Sequence, residues 1–390
     1  MNRQMKNHGL FMFLVFMAVG AVIFSCGPKA VKPVSEMDTP EHHFYTGMKL
    51  LDQGNYAAAQ TEFDRCIQLA PEFSKAYAGS GLVKAYQGDS RGAFDVMKQA
   101  WKYAKVDDEK LLVHVSRIRL YTMGKPDKDW LSDATSEFES AKKIDPKSSA
   151  AYYFMGMAYK AGLAFDKGGQ MFKQVIDFNK EYVKEADSEW QLTQKIQRAM
   201  PGTLVGRKIA VIDRITRADA AALFMEELKI DVLYKKRTPK TFDTAFKDPQ
   251  KAGADAAALP PTATDIAAHP LKVDMEGIIR IGVRGLEIYP DGAFRPNEFV
   301  DRATYAMMVE DVLIKVTGDN KLATKFIGSA SPFPDLRADL PYFNAVMVVR
   351  SRGIMEAKDL TTGEFAPLSP VPGVDALLII RKMKEELKFF

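Results

Sequence analysis

Side chains that could do chemistry are few and scattered. Of the five histidines, His42 and His43 are adjacent, and His8, His114 and His269 stand alone. No His-x-x-x-His spacing sets two imidazoles on one helix face for a metal, and there is no Cys-x-x-Cys and no Gly-x-x-x-x-Gly-Lys phosphate loop. Glu226-Glu227 and Glu385-Glu386 are adjacent acids, and neighbouring residues of a helix face different ways. They read as exposed acids, not acid/base pairs, and His42-His43 reads as a solvated pair. Cys66 falls on an apolar helix position and reads as a small core residue. This inventory predicts a non-enzyme with no catalytic residue, no metal and no cofactor. It leaves the thiol of Cys26.

Cys26 closes an N-terminal stretch unlike the rest. Arg3 and Lys6 precede an apolar run, Leu10 to Phe24. That run is shorter than the roughly 20 residues a membrane-spanning helix needs and has the size of a signal-peptide core. It ends in Ile23-Phe24-Ser25-Cys26, which resembles a bacterial lipobox. The resemblance implies a signal peptide over 1–25, cleavage before Cys26, diacylglycerol on its thiol and a further acyl chain on the freed amine. Two or three chains anchor stably where one is marginal. Gly27 rather than Asp resembles the pattern sent to an outer membrane, so the expected location is the cell envelope, lipid-anchored to the outer membrane and facing the periplasm. An acylated Cys26 leaves Cys66 no disulfide partner. Residues 26–40 carry Pro28, Pro33 and Pro40 with little periodicity and read as a flexible tether.

The remainder has ordinary globular composition, 47% hydrophobic and 27% charged, and 390 residues suit two or three domains. A net charge of +4 is too small an excess to argue for nucleic acid.

Between about His42 and Lys180 the chain repeats. Gly47 and Gly81, Gly54 and Gly88, Ala59 and Ala93, Phe63 and Met97, and Phe138 and Phe172 are each 34 residues apart. Pro71 and Pro146 follow Phe63 and Phe138 by eight, where proline stops a helix. The pattern resembles tetratricopeptide (TPR) repeats, helical hairpins of that period. It predicts an all-α solenoid over 41–200, with repeats at about 40–73, 74–107, 115–148 and 149–182 and a polar capping helix at about 179–200. About seven extra residues are expected near Val106 to Lys110. The resemblance implies a groove for a protein or peptide, with Tyr56, Tyr77, Tyr86, Tyr152, Tyr153 and Tyr159 as candidate lining.

A second repeat occupies 201–390. Ile278 to Leu286 is followed by Tyr289-Pro-Asp-Gly-Ala-Phe-Arg-Pro-Asn297, then by Val300-Asp-Arg-Ala-Thr304 opening a helix. Ile215-Thr-Arg-Ala-Asp219 and Phe333-Pro-Asp335 mark two further copies. The order resembles an S-layer homology (SLH) domain. It implies a pseudo-threefold helical fold with a partial repeat at about 205–234, a linker or insertion at about 235–268, and repeats at about 269–317 and 333–388. It also implies binding of cell-wall polysaccharide or peptidoglycan, with Arg217, Arg302 and Arg295 as contacts. A guanidinium can hold an anionic group bidentately. Gly373 stands where the third copy would carry its arginine.

Together these readings give a wall-binding lipoprotein that scaffolds a protein partner and joins a membrane to the wall. The alternative is a TPR interaction subunit of an export or outer-membrane assembly complex, its SLH-like domain purely structural.

Overall fold

The computed structural model describes residues 30–237 and 262–387. Cys26, the expected signal peptide and most of the expected linker lie outside them. Two compact units divide at Trp190/Gln191. Among the described residues the fold is all-α, with no strand.

Unit 1 is four helical hairpins: α1 (Pro40–Asp52) with α2 (Tyr56–Leu69), α3 (Ser74–Tyr86) with α4 (Ser90–Tyr103), α5 (Asp107–Gly124) with α6 (Trp130–Ile144), and α7 (Ser149–Ala161) with α8 (Phe165–Phe178). A ninth helix, α9 (Val183–Ala199), starts in unit 1 and crosses the division. Local chemistry sets the ends. Thr39, Asn55, Asp89 and Ser148 each accept an amide of the helix they precede. Gly54 and Gly88 turn α1 into α2 and α3 into α4 at φ of +75° and +87°. Pro71 and Pro146 sit two residues beyond the ends of α2 and α6.

In three of the four hairpins a large residue of the second helix meets glycines of the first helices. Phe63 lies between Gly47 and Gly79, and a Cβ at Gly47 would stand 2.6 Å from its ring. Met97 packs on Gly81 and Phe172 on Gly156. First helices of successive hairpins pack on one another, whereas second helices make no comparable contact. The first helices therefore line the inner, concave side of the stack. The extra length of the third hairpin lies mainly in α5, 18 residues against 13 in α1 and α3, and in a longer turn after it. That hairpin starts at Asp107, not near 115.

Two further expectations change. The tether is docked from Val31 onward: the Val31 amide bonds the Gln68 carbonyl at 2.8 Å, and the Val34 amide bonds buried Asp38 at 2.6 Å. Asp38 is gripped by Arg65 and by His43. His43 is therefore no solvated loop residue; its other ring nitrogen meets Glu62 at 2.5 Å. The Arg65 hydrogen bond holds the Asp38 carboxyl well below the usual carboxylate range.

Unit 2 contains α10 (Leu204–Ile209), α11 (Arg217–Ala222) running into a π-turn (Leu223–Glu227), α12 (Ile230–Arg237), α13 (Lys272–Ile281), α14 (Arg302–Thr317), a 3₁₀ turn (Asn320–Thr324), α15 (Phe343–Ser351) and α16 (Gly373–Glu386). Three extended residues interlock at its centre. The Val300 amide bonds Ile215 O at 3.0 Å, the Val371 amide bonds Val300 O at 3.2 Å, and the Ile215 amide bonds Val371 O at 2.9 Å. This closed ring of buried residues marks a pseudo-threefold axis, and α11, α14 and α16 each begin just after one of its members. The expected linker is shorter than the sequence suggested. Residues up to Arg237 are helical, and Ile266 is already buried. Asp265 accepts the amides of Phe294 and Arg295, as Asp335 accepts those of Phe365 and Ala366. The second repeat therefore begins before 269.

Candidate functional site: an inner aromatic face and two arginine clasps

On the inner side of unit 1, rings and one guanidinium form a continuous ladder. Tyr56, opening α2, stacks on Tyr86 at the end of α3 (centroids 5.2 Å apart, planes 11°). Arg119 of α5 donates to the Tyr86 hydroxyl at 3.0 Å and lies over the Phe154 ring at 4.5 Å. Phe154 meets Tyr182, which stacks on Tyr153 at 4.9 Å and 8°. Tyr182 holds a left-handed backbone, φ 60°, uncommon for a bulky residue. Arg119 is only 8% exposed, and among the described residues no carboxylate pairs with it. Its charge is met by ring faces and one hydroxyl, an arrangement worth about 0.5–2 kcal/mol per ring depending on desolvation. Burial, then Glu189 and Glu185, push the Tyr153 hydroxyl up to about 12.

Of the tyrosines proposed from sequence, Tyr56, Tyr86 and Tyr153 join this ladder. Tyr77 donates to Pro71 O and packs on Tyr103, and Tyr152 is wedged between Phe138 and Phe178. Tyr159 packs beside the core of the third and fourth hairpins, under Lys167. Arg119, Phe154 and Tyr182 were not anticipated. Arg119 is the thirteenth residue of α5, as Tyr86 is of α3 and Asp52 of α1. That equivalence is hidden once the third hairpin departs from the 34-residue step.

In unit 2 the two helix-start arginines are buried. Arg217 is 6% exposed. It donates to Phe294 O at 2.9 Å, to Glu287 O at 2.8 Å and to Gly285 O. Its guanidinium also lies 4.8 Å from both the Tyr289 and Phe294 rings. Arg302 repeats the arrangement one copy on, donating to Phe365 O at 2.8 Å and Glu356 O at 2.7 Å over the Phe365 ring. Burial lowers its pKa. Each arginine clasps the turn of the next repeat. At the third equivalent position the Gly373 amide bonds Ile212 O at 2.8 Å, and a Cβ there would run into the Ile209 carbonyl. The arginine is missing because backbone fills its place.

Arg295 differs. It is half-exposed, pairs with Asp291 at 3.0 Å and lies 4.1 Å over the Tyr289 ring. Asp291 and Gly292 shape that turn, through the Ala293 amide and a φ of +82°. Cys66 is buried, its thiol 3.1 Å from Pro40 O, and burial pushes its pKa up to about 12. Among the described residues, no group of three His, Cys, Asp or Glu could hold a metal ion, and no helix is long and apolar enough to cross a membrane.

No family model matches the chain, and no curated protein matches it. Among solved structures it is similar to YrrB, described as a TPR protein with an unusual peptide-binding site. The match has 15% identity, covers 40% of this chain and 93% of that one, and has a TM-score of 0.19.

Proposed function

We propose that this chain is a non-enzymatic envelope lipoprotein whose helical stack holds a protein or peptide on its inner face. Lipid on Cys26 fixes it to a membrane, the outer membrane on its periplasmic side being the expected one. The observation that carries this reading is the ladder from Tyr56 to Tyr153 along the concave side. Rigid aromatic and arginine side chains of this kind dominate protein interfaces. The test is photocrosslinking in cells from a benzoylphenylalanine placed at Tyr86, compared with one at the exposed Gln174 of α8. A discrete protein adduct from position 86 and none from 174 supports the reading. No adduct from 86, or the same adducts from both, removes it.

A second reading is attachment of unit 2 to cell-wall polysaccharide or peptidoglycan. It draws support from the SLH-like pattern and from exposed Arg295 on the Tyr289 face, a pairing suited to a sugar ring bearing an anionic group. Arg217 and Arg302 fit it less well as direct contacts, since they spend their donors on backbone carbonyls. Co-sedimentation of the full chain with purified sacculi decides it. Retention that Arg295→Ala abolishes favours wall binding. No retention at low or physiological salt leaves unit 2 a structural domain of an interaction subunit.

A further inference from the structure

We infer that the surface formed by Val31, Val34 and Met37 rests on the lipid bilayer that holds Cys26; the inference builds on the lipoprotein reading. These three side chains are 47%, 86% and 64% exposed. Single exposed apolar residues need no explanation, but these three fall within seven residues of one docked segment. Four residues separate that segment from Cys26.

Chain length limits the distance. Five residue steps reach at most about 18 Å when fully extended, and a flexible chain of that length averages about 12 Å. The acyl chains fix Cys26 at the level of the headgroups. Val31 is therefore held within or just above the interfacial layer, where apolar side chains of peripheral proteins bury about 5–10 Å deep.

The segment is a platform, not a swinging tether. Val31 is fastened to α2 through Gln68, and Val34 is fastened through Asp38, itself gripped by Arg65 and His43. Its side chains keep their outward positions whatever the short connection to Cys26 does. Lys32, exposed between Val31 and Val34, can meet lipid phosphates at the same level. The first hairpin, and with it the start of the inner face, is then set down on the membrane in a fixed orientation.

The test uses the lipidated full chain reconstituted in phosphatidylethanolamine–phosphatidylglycerol vesicles. A single environment-sensitive fluorophore goes on Val34→Cys, on Met37→Cys, or on Ser136→Cys, an exposed position of α6. Native Cys66 stays unlabelled because its thiol is buried and its pKa is pushed up. Quenching is read with nitroxide-labelled lipid and with aqueous iodide, and mass spectrometry reads the acylation of Cys26. Labels at 34 and 37 should be quenched several-fold more by the lipid nitroxide than the label at 136, and less by iodide. If Cys26 is acylated and all three labels behave alike, the docking surface is wrong and the anchor stands. If Cys26 carries no acyl group, the anchor reading fails and the docking surface falls with it.

Discussion

Arg217 sends N–H groups to the carbonyls of Gly285, Glu287 and Phe294, all on one turn some seventy residues away. A lysine ammonium is compact and lacks the planar fork, so it cannot serve three divergent acceptors. Hydrogen bonds from a charged donor are worth about 1.5–3 kcal/mol, and an orphaned buried carbonyl costs about 1–3 kcal/mol. Arg217→Ala should therefore lower stability by about 3 kcal/mol and Arg217→Lys by about 2 kcal/mol, read as urea midpoints by circular dichroism. Unchanged midpoints would mean the clasp is idle and the arginine free for a ligand. Buried Glu310 carries a pH signature. Burial raises its carboxyl above 4.5, against the opposing pull of Arg284 and Asn344. A raised acid contributes stability that is full below its unfolded pKa and lost as pH rises through its folded pKa. The stability of wild type relative to Glu310→Gln should thus fall as pH climbs from about 4.5; a constant difference from pH 4 to 8 would contradict this. In the sequence, Arg217 and Arg302 were singled out as wall contacts by the resemblance to an SLH domain. It could not tell which way the fork points, since the accepting carbonyls come from distant turns. Gly373 shows the same limit: its missing arginine was visible, and the Ile209 backbone that excludes it was not.

At the scale of elements, helices pack where glycine meets a large ring. Gly156 sits mid-helix in α7, where alanine would gain about 1 kcal/mol of helix propensity. A Cβ there would stand 2.5 Å from the Phe172 ring, and overpacking a filled core costs about 1–3 kcal/mol. The steric cost wins, so Gly156→Ala should destabilise unit 1 by about 1 kcal/mol, with Phe172→Leu in the same chain recovering part of the loss. Urea denaturation followed by tryptophan fluorescence checks this; a stabilised single variant would show that Phe172 has room to move. Such glycine–aromatic pairs made this half legible, because a hairpin of 13 and 14 residues with a three-residue turn and a four-residue connection to the next repeats every 34. The third hairpin blurred because α5 grew by more than a turn, which breaks spacing without breaking packing. The inner-face ladder was half legible for the same reason: three of its tyrosines were named, while Arg119 and Phe154 follow from which helices face inward and Tyr182 lies in the connection before α9. In unit 2, Asp265 was taken for linker because its partners, two amides near position 294, carry no mark in the sequence.

Over the whole molecule, one chain uses two ways of closing a core. Unit 1 is an open stack in which each hairpin touches its neighbours, so its stability should grow roughly by increments as hairpins are added. Unit 2 is closed: Ile215, Val300 and Val371 bond in a ring, and Arg302 reaches acceptors in the third repeat. Removing one member of a ring takes support from both others. A chain ending at Gly328 loses Glu356, Phe365 and Val371, yet keeps every residue of the first two repeats that the full chain has. In it, the Val300 amide still has Ile215 O available and the Arg217 amide still has Glu298 O. If the ring is the unit of folding, both amides should exchange hydrogen at near-unfolded rates in the shortened chain, although their own partners remain. Arg302 would lose both carbonyls it donates to, and its guanidinium would return to water. Hydrogen exchange in the full and shortened chains, with α7 and α8 of the helical stack as internal reference, separates the cases. Retained protection at Val300 and Arg217 would mean that two repeats stand alone and that the threefold closure is decoration. Loss at both sites, with the stack unchanged, would make the third repeat essential to the fold even though it lacks the arginine.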